Sequence, residues 1–400
     1  MKRISVFFTA FALVFAACKE PGSISVPVTV TFSGNGHTGG MVVPSALLGP
    51  AGLPMPLPVR GSLVKTGCTF RGWNTQANGS GTDYAAGGSY AFAVDTILYA
   101  KWKADWTGID ETASIFGTSL ILGIAYGGGK FVAVGEDGKM AWSGDGVTWT
   151  GLDGTASSFG TSNILGITYG GGKFVAVGDY GKMAWSADGE TWNAVGTSAF
   201  GGSIVYGIAY GGGKFVAVGP LGLMAYSSNG VDWTGLDGTA STFGPSGING
   251  IAWGGGKFVA VGQNGRMAWS GNGETWYPVG TSTFGPSIIQ GIAYGGGTFV
   301  AGGFDGKMAW SGNGADWTGI DGTASTFGTS VIWGIAWGGG KFVAVGWNTK
   351  MAYSGNGVTW TGIDGTASTF GTSGIYGIAY GGGKFVAGGD NGKMAWHEYP

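Results

Sequence analysis

Catalysis needs groups that titrate, attack or hold a metal, and this 400-residue chain is poor in them, with 22 acidic residues, 20 basic ones, two His and two Cys. From residue 104 onward the Glu residues are Glu111, Glu136, Glu190, Glu274 and Glu398, while most Asp residues return at the same place in a repeated unit. Hydrolysis of a glycoside needs one carboxyl to protonate the leaving oxygen and a second across the scissile bond. Acids that recur in every repeat provide no such unique pair. Acyl transfer by Ser needs a His or Lys to take its proton, and the one His of this stretch, His397, lies four positions from the end, a poor place to hold a general base. Arg266 is the only Arg there. The expectation is a protein that is not an enzyme and uses no cofactor and no metal. A net charge of −2 with no basic cluster also speaks against nucleic-acid binding.

Binding chemistry is better represented. The string GIAYGGGKFVAVG, or a close copy, begins at Gly123, Gly166, Gly207, Gly250, Gly291, Gly334 and Gly377, so the copies can be compared with one another. They differ chiefly in two places, with Leu120, Asn163, Ile204, Gly247, Ile288, Val331 and Gly374, two residues before the second, varying too. One follows KFVAVG and reads Glu136-Asp137, Asp179-Tyr180, Pro220-Leu221, Gln263-Asn264, Phe304-Asp305, Trp347-Asn348 and Asp390-Asn391. The other is the residue before GIAY: Leu122, Leu165, Tyr206, Asn249, Gln290, Trp333 and Tyr376. Aromatic rings beside amides and carboxylates suit sugar stacking or a protein hot spot. The candidate ligand-binding residues are therefore Tyr180, Tyr206, Phe304, Trp333, Trp347 and Tyr376, with Asp137, Asp179, Asn264, Asp305, Asn348 and Asp390. Neutral drift of turn positions explains variability equally well, but not why costly aromatics accumulate there.

The elements that must carry these residues follow from the period, which is 41 or 43 residues. Gly is 88 of 400 residues, yet aromatics reach 14%, which fits a turn-dense all-β chain and not a linker or collagen. Each unit reads as four short strands: GIAY as A, KFVAVG as B, KMAWS as C and TWTG as D, with alternation such as Phe131 and Ala133 against Val132 and Val134. Four strands at this period predict propeller blades. The last unit stops after its C strand, and Asp105-Trp106-Thr107-Gly108 is a D strand with no A to C before it. The first piece is expected to complete the last blade, giving a seven-bladed β-propeller with velcro closure over 104–400. Strand direction alternates, so the B-to-C turns and D-to-A connections share one face, and both variable sets fall on it.

Three segments resemble known families. Lys2-Arg3, the apolar run Ile4–Ala17 and Ala16-Ala17-Cys18 resemble a lipoprotein signal, which implies cleavage after residue 17, acylation of Cys18, a short linker at 18–23 and a membrane contact through the lipid only. Phe15 departs from the usual residue three before the Cys. Residues 24–103 resemble the Listeria–Bacteroides repeat, through Thr29-Val30-Thr31-Phe32, Lys65-Thr66-Gly67, Gly72-Trp73-Asn74, Gly79-Ser80-Gly81-Thr82 and Leu98-Tyr99-Ala100-Lys101-Trp102, with Cys68 where a Tyr is usual. That resemblance implies a small β-grasp-like module serving as spacer or adhesion unit in a surface protein. Cys68 reads as a small buried hydrophobe and His37 as an exposed turn residue. The C-to-D turns, such as Ser143-Gly144-Asp145-Gly146 and Ser186-Ala187-Asp188-Gly189, resemble the Asp-box of sialidase-type propellers, one residue short. In that family the box is a structural turn, and the three-Arg clamp of a sialidase cannot be built from Arg266 alone. Together these readings point to a monomeric, lipid-anchored envelope protein, at the outer membrane or cell surface, that binds a glycan or protein ligand; the alternatives the Asp-box resemblance implies are an assembly or scaffold factor and a degenerate sialidase-type glycosidase.

Overall fold

A computed structural model of the chain describes residues 26–398, apart from 66–67, 105, 111, 153–157, 197–198, 237–241, 281–282, 321–325 and 364–366. Residues 1–17, Cys18 and the linker 18–23 lie outside the described residues. The chain divides into two compact units, the first closing at Lys103 and the second opening at Ala104.

The first unit is a five-stranded sheet in the order Ala46–Pro50, Pro27–Ser33, Thr96–Ala104, Cys68–Asn74, Asp83–Tyr84. Its first and last long strands run parallel, with Val30 opposite Thr96, as a β-grasp requires. Among the described residues it has no helix; a short hairpin, Pro54–Pro56 with Ser89–Ala91, stands beside the sheet. The Trp-Asn pair is central. Trp73 is fully buried and its indole N–H donates to the Pro58 carbonyl at 2.9 Å. Asn74, equally buried, donates to Gly79 O, Gly81 O and Asp83 Oδ1 and so ties the Gly-Ser-Gly turn to the sheet. Cys68 is only half-buried, so it is not the core residue its apolar context suggested, because it opens its strand and does not lie mid-sheet. His37 is exposed.

The second unit is a seven-bladed propeller, each blade a four-stranded antiparallel sheet in the order A-B-C-D. In blade 1 these are Ile121–Gly127, Lys130–Gly135, Met140–Ser143 and Thr150–Leu152. In blade 7, A to C are Ile375–Gly381, Lys384–Gly389 and Met394–Glu398, and the fourth strand is Thr107–Ile109, which lies antiparallel to C with Trp396 opposite Thr107. The ring therefore closes with a strand from its own beginning, and the last blade has no bare edge.

Seven blades stack because of two contacts that the repeat encodes. The aromatic of GIAY or GIAW lies on the first glycine of the preceding blade's GGG. A Cβ on Gly254 would fall 1.9 Å from the Tyr294 ring, and one on Gly381 would fall 2.0 Å from Tyr126, which completes the circle. The other two glycines of the triplet hold positive φ, as Gly255 and Gly256 do at 54° and 76°. The second contact is a Phe from each D-to-A connection: Phe116, Phe159, Phe200, Phe243, Phe284, Phe327 and Phe370 are all buried between blades. The Lys that opens strand C holds this connection down. Lys139, Lys182, Lys307 and Lys393 donate to the carbonyls of Phe116, Phe159, Phe284 and Phe370. Arg266 does the same to Phe243, so it is a variant of the structural Lys and not a ligand clamp.

Candidate functional site

The C-to-D turns are the simpler of the two faces. Asp188 Oδ1 accepts the N–H groups of Glu190 and Thr191, while the Ser186 hydroxyl accepts that of Gly189. Asn229, Asn272, Asn313 and Asn356 accept the equivalent pairs. The hydrogen bond from Thr191 N–H, set against the cost of burial and aided by Glu190 N–H and Ser186, brings the Asp188 carboxyl down to about 2. These turns are structural. On the same side, Lys130, Lys173 and Lys257 sit over the rings of Trp142, Trp185 and Trp269 at 4.7, 4.7 and 4.3 Å. Among the described residues no three His, Cys, Asp or Glu side chains gather as a metal site would need.

The opposite face carries both variable sets. Each B-to-C turn is three residues long, and its second residue adopts left-handed backbone in every blade: Asp137, Tyr180, Leu221, Asn264, Asp305, Asn348 and Asn391, with φ of 54–58°. Asp and Asn tolerate this conformation better than other non-glycine residues. The candidate residues Asp137, Asn264, Asp305 and Asn348 thus answer first to backbone geometry. Three of them also bond within the protein: Ser119 and Ser287 hydroxyls donate to Asp137 and Asp305, and Asn264 donates to Ser246. Tyr180 and Leu221 have no such excuse. They hold the same strained backbone with 70% and 64% of their surface exposed.

The aromatic candidates are brought together over blades 5 to 7. Phe304, from the turn of blade 5, meets Trp333 of blade 6 with ring centroids 6.2 Å apart, and Trp333 meets Tyr376 of blade 7 at 5.5 Å, both edge to face. Trp347, 43% exposed, joins them at Gly374, where a Cβ would lie 3.0 Å from its ring and 2.7 Å from the Tyr376 hydroxyl. The Tyr376 hydroxyl donates to Asp390 Oδ1 at 2.8 Å, and Gly374 N–H donates to Asp390 Oδ2 at 2.7 Å. Burial, the bond to Asp390 and the charges of Asp390 and Glu136 push the Tyr376 phenol well above its ordinary range. The Trp333 indole N–H is buried and unbonded, a cost of about 1–3 kcal/mol. Tyr180 and Tyr206 make no ring contact with this group among the described residues, and Asp179 stands in the turn of blade 2, away from it in ring order.

At the centre of the ring the A strands line a cavity of about 210 Å³, with Leu122, Gln290, Trp333 and Tyr376 among its walls. The glycine of each GIAY explains how seven strands converge: a Cβ on Gly334 would lie 2.6 Å from the Tyr376 carbonyl of the next blade. Sequence comparison of the repeats located the aromatic positions but missed Gly374 and Glu136 as parts of the same corner. Gly374 stands where other copies carry Leu120, Asn163, Ile204, Ile288 or Val331, and only the fourth repeat, at Gly247, shares the glycine; here the small residue makes room for two rings.

Comparison with known proteins agrees with this architecture. Residues 29–101 match the Listeria-Bacteroides repeat domain family. No curated protein matches the chain. Among solved structures, the chain is similar to YCF48 bound to D1 peptide, with 17% identity, 74% of this chain and 96% of that chain covered, and a TM-score of 0.57. YCF48 from Cyanidioschyzon merolae gives 18% identity, 74% and 99% coverage and a TM-score of 0.57. A catalytically inactive virginiamycin B lyase from Staphylococcus aureus with quinupristin gives 12% identity, 74% and 99% coverage and a TM-score of 0.61. At such identities the likeness is one of fold: the second unit is a β-propeller, and the first contains a Listeria-Bacteroides repeat.

Proposed function

We propose that this chain is a bacterial envelope protein, anchored by a lipid on Cys18, that performs no covalent chemistry and binds a glycan or protein ligand through the variable propeller face. The observation that carries the reading is the aromatic arc of Phe304, Trp333, Trp347 and Tyr376, assembled from three blades of an otherwise repetitive ring. The Listeria-Bacteroides repeat supports the envelope location. The carboxylates of two repeated turns, Asp145 and Asp188, are bonded to backbone N–H groups, as suits structural turns.

The test is capture on glycan and peptide arrays by the purified full chain carrying Cys18→Ser, with Trp347→Ala as the control. Trp347 is exposed enough for its removal to leave the melting temperature within a few degrees. Capture that Trp347→Ala weakens supports the reading; capture indifferent to it, or hydrolysis of a fluorogenic glycoside, overturns it. The anchor has its own readout, since Cys18→Ser should move the protein out of the detergent phase. A second reading, an assembly or scaffold role, is favoured by one observation: a propeller of similar fold, YCF48, is described as bound to a peptide.

A further inference from the structure

The corner between blades 6, 7 and 1 has a chemistry that narrows the ligand. Its charged groups are carboxylates. Asp390 receives Tyr376 O–H and Gly374 N–H, one on each oxygen, and each oxygen has a second lone pair. Glu136 receives Leu120 N–H at 3.0 Å on one oxygen, and its other oxygen has no bond among the described residues. The Tyr376 proton is committed to Asp390, which leaves the phenol oxygen as an acceptor. The Trp333 N–H is buried, so only ring carbon is offered to the solvent. The lysines that follow these turns are engaged elsewhere: Lys139 donates to Phe116 O and the Ser119 hydroxyl, Lys350 to Thr326 O and Lys393 to Phe370 O. None of them forms an ion pair with Glu136 or Asp390 among the described residues.

Two carboxylates beside ring faces, with the exposed amides of Asn348 and Asn391 next to Trp347 and Asp390 in the same turns, are matched by a positively charged group that donates hydrogen bonds. Ammonium and guanidinium groups are such groups, and both are attracted to aromatic faces. A neutral sugar can stack on the rings and donate its hydroxyls to the carboxylates, but it leaves their charge uncompensated. The rest of the face decides between small and protein ligands. Leu221 and Tyr180 stand exposed on blades 3 and 2, the two blades that follow blade 1 around the ring. An aliphatic Leu offers nothing to a polyol but buries well against apolar side chains of a protein.

We propose that Phe304, Trp333, Trp347, Tyr376, Glu136 and Asp390 form a receptor for a Lys or Arg side chain of a protein partner, with Leu221 and Tyr180 as flanking apolar contacts. This rests on the variable face being the binding face.

The experiment uses the full chain carrying Cys18→Ser on a peptide array. Peptides captured should share a Lys or Arg, and resynthesis with norleucine for Lys or citrulline for Arg, which keep the length and remove the charge, should weaken binding at least about tenfold. Glu136→Gln should weaken the parent peptides about tenfold and flatten the salt dependence of binding. Asp390→Asn, checked by its melting temperature, should do the same. Equal binding of the citrulline or norleucine peptides, or capture of neutral glycans alone through Trp347, overturns the cation receptor and leaves the binding face standing. Capture that Trp347→Ala does not weaken overturns both.

Discussion

Gly254 and Gly256 lie two residues apart in one turn, and alanine should hurt at each for a different reason. At Gly254 the new methyl would enter the Tyr294 ring of the neighbouring blade, at 1.9 Å, so the blades must part; the expected loss is about 2–3 kcal/mol. At Gly256 nothing lies within 4 Å, and the cost is only that of left-handed backbone, about 1 kcal/mol. Denaturant melts of the two variants give the order; a larger loss at Gly256 would refute the stacking account. Asp188 offers a test by pH. Its folded carboxyl titrates at about 2, below the value of about 3.9 expected when unfolded. The stability it adds is therefore present above pH 4 and fades as pH falls toward 2. Asp188→Asn, which the chain already uses in four other turns, should melt like the parent at neutral pH and lose less between pH 4 and 2; an identical acid profile would show that this carboxylate carries no such contribution. Both roles were partly legible. The repeated GGG and Ser-x-Asp/Asn-Gly strings announced turns, but that the first glycine serves a ring 40 residues on is a packing fact, invisible until blades are stacked.

At the scale of the element, the B-to-C turn asks for two successive left-handed residues in every blade; Gly fills the second except at Thr349, and five of seven copies supply Asp or Asn at the first. The sequence pattern thus mixed two signals, backbone tolerance and ligand chemistry, and only side-chain contacts separate them. The aromatic arc was legible because bulky rings are not what such a turn selects. Its pairing with Gly374 and Glu136 was not, since they come from different connections. Tyr180→Asn separates the signals experimentally. Relief of the φ strain should stabilise the protein by about 0.5–1 kcal/mol, seen as a melting temperature raised by a degree or more. An unchanged or lowered value would mean that the Tyr180 ring, though exposed, holds the turn. Trp333 and Tyr376 are a different matter. Both are half-buried, and Tyr376 anchors Asp390, so their replacement costs stability that Trp347→Ala does not.

For the whole molecule, the count of strands predicted the closure, because an orphan D strand at one end and a blade lacking D at the other leave little else to build. Thr107–Ile109 does fill that place, bringing the buried side chains of Trp106 and Ile109 with it. Deleting residues 104–109 removes these and bares the Met394–Glu398 strand. The expected outcome is a melting temperature lower by more than about 10 °C and association through the open edge, read by size-exclusion chromatography. A monomer melting like the parent would mean that the ring is held without its clasp.

The clasp also sets a schedule. Thr107–Ile109 is made nearly 300 residues before the strand it pairs with, so during synthesis it must wait while six complete blades of almost the same sequence appear beside it. Every one of them has a C strand that could accept it, and each already carries its own D strand in the adjoining stretch of chain. Local partners arrive first and fill those sites, and the long-range pairing is left to the one vacancy that remains. In a chain of near-identical parts, the correct partner is selected by being last.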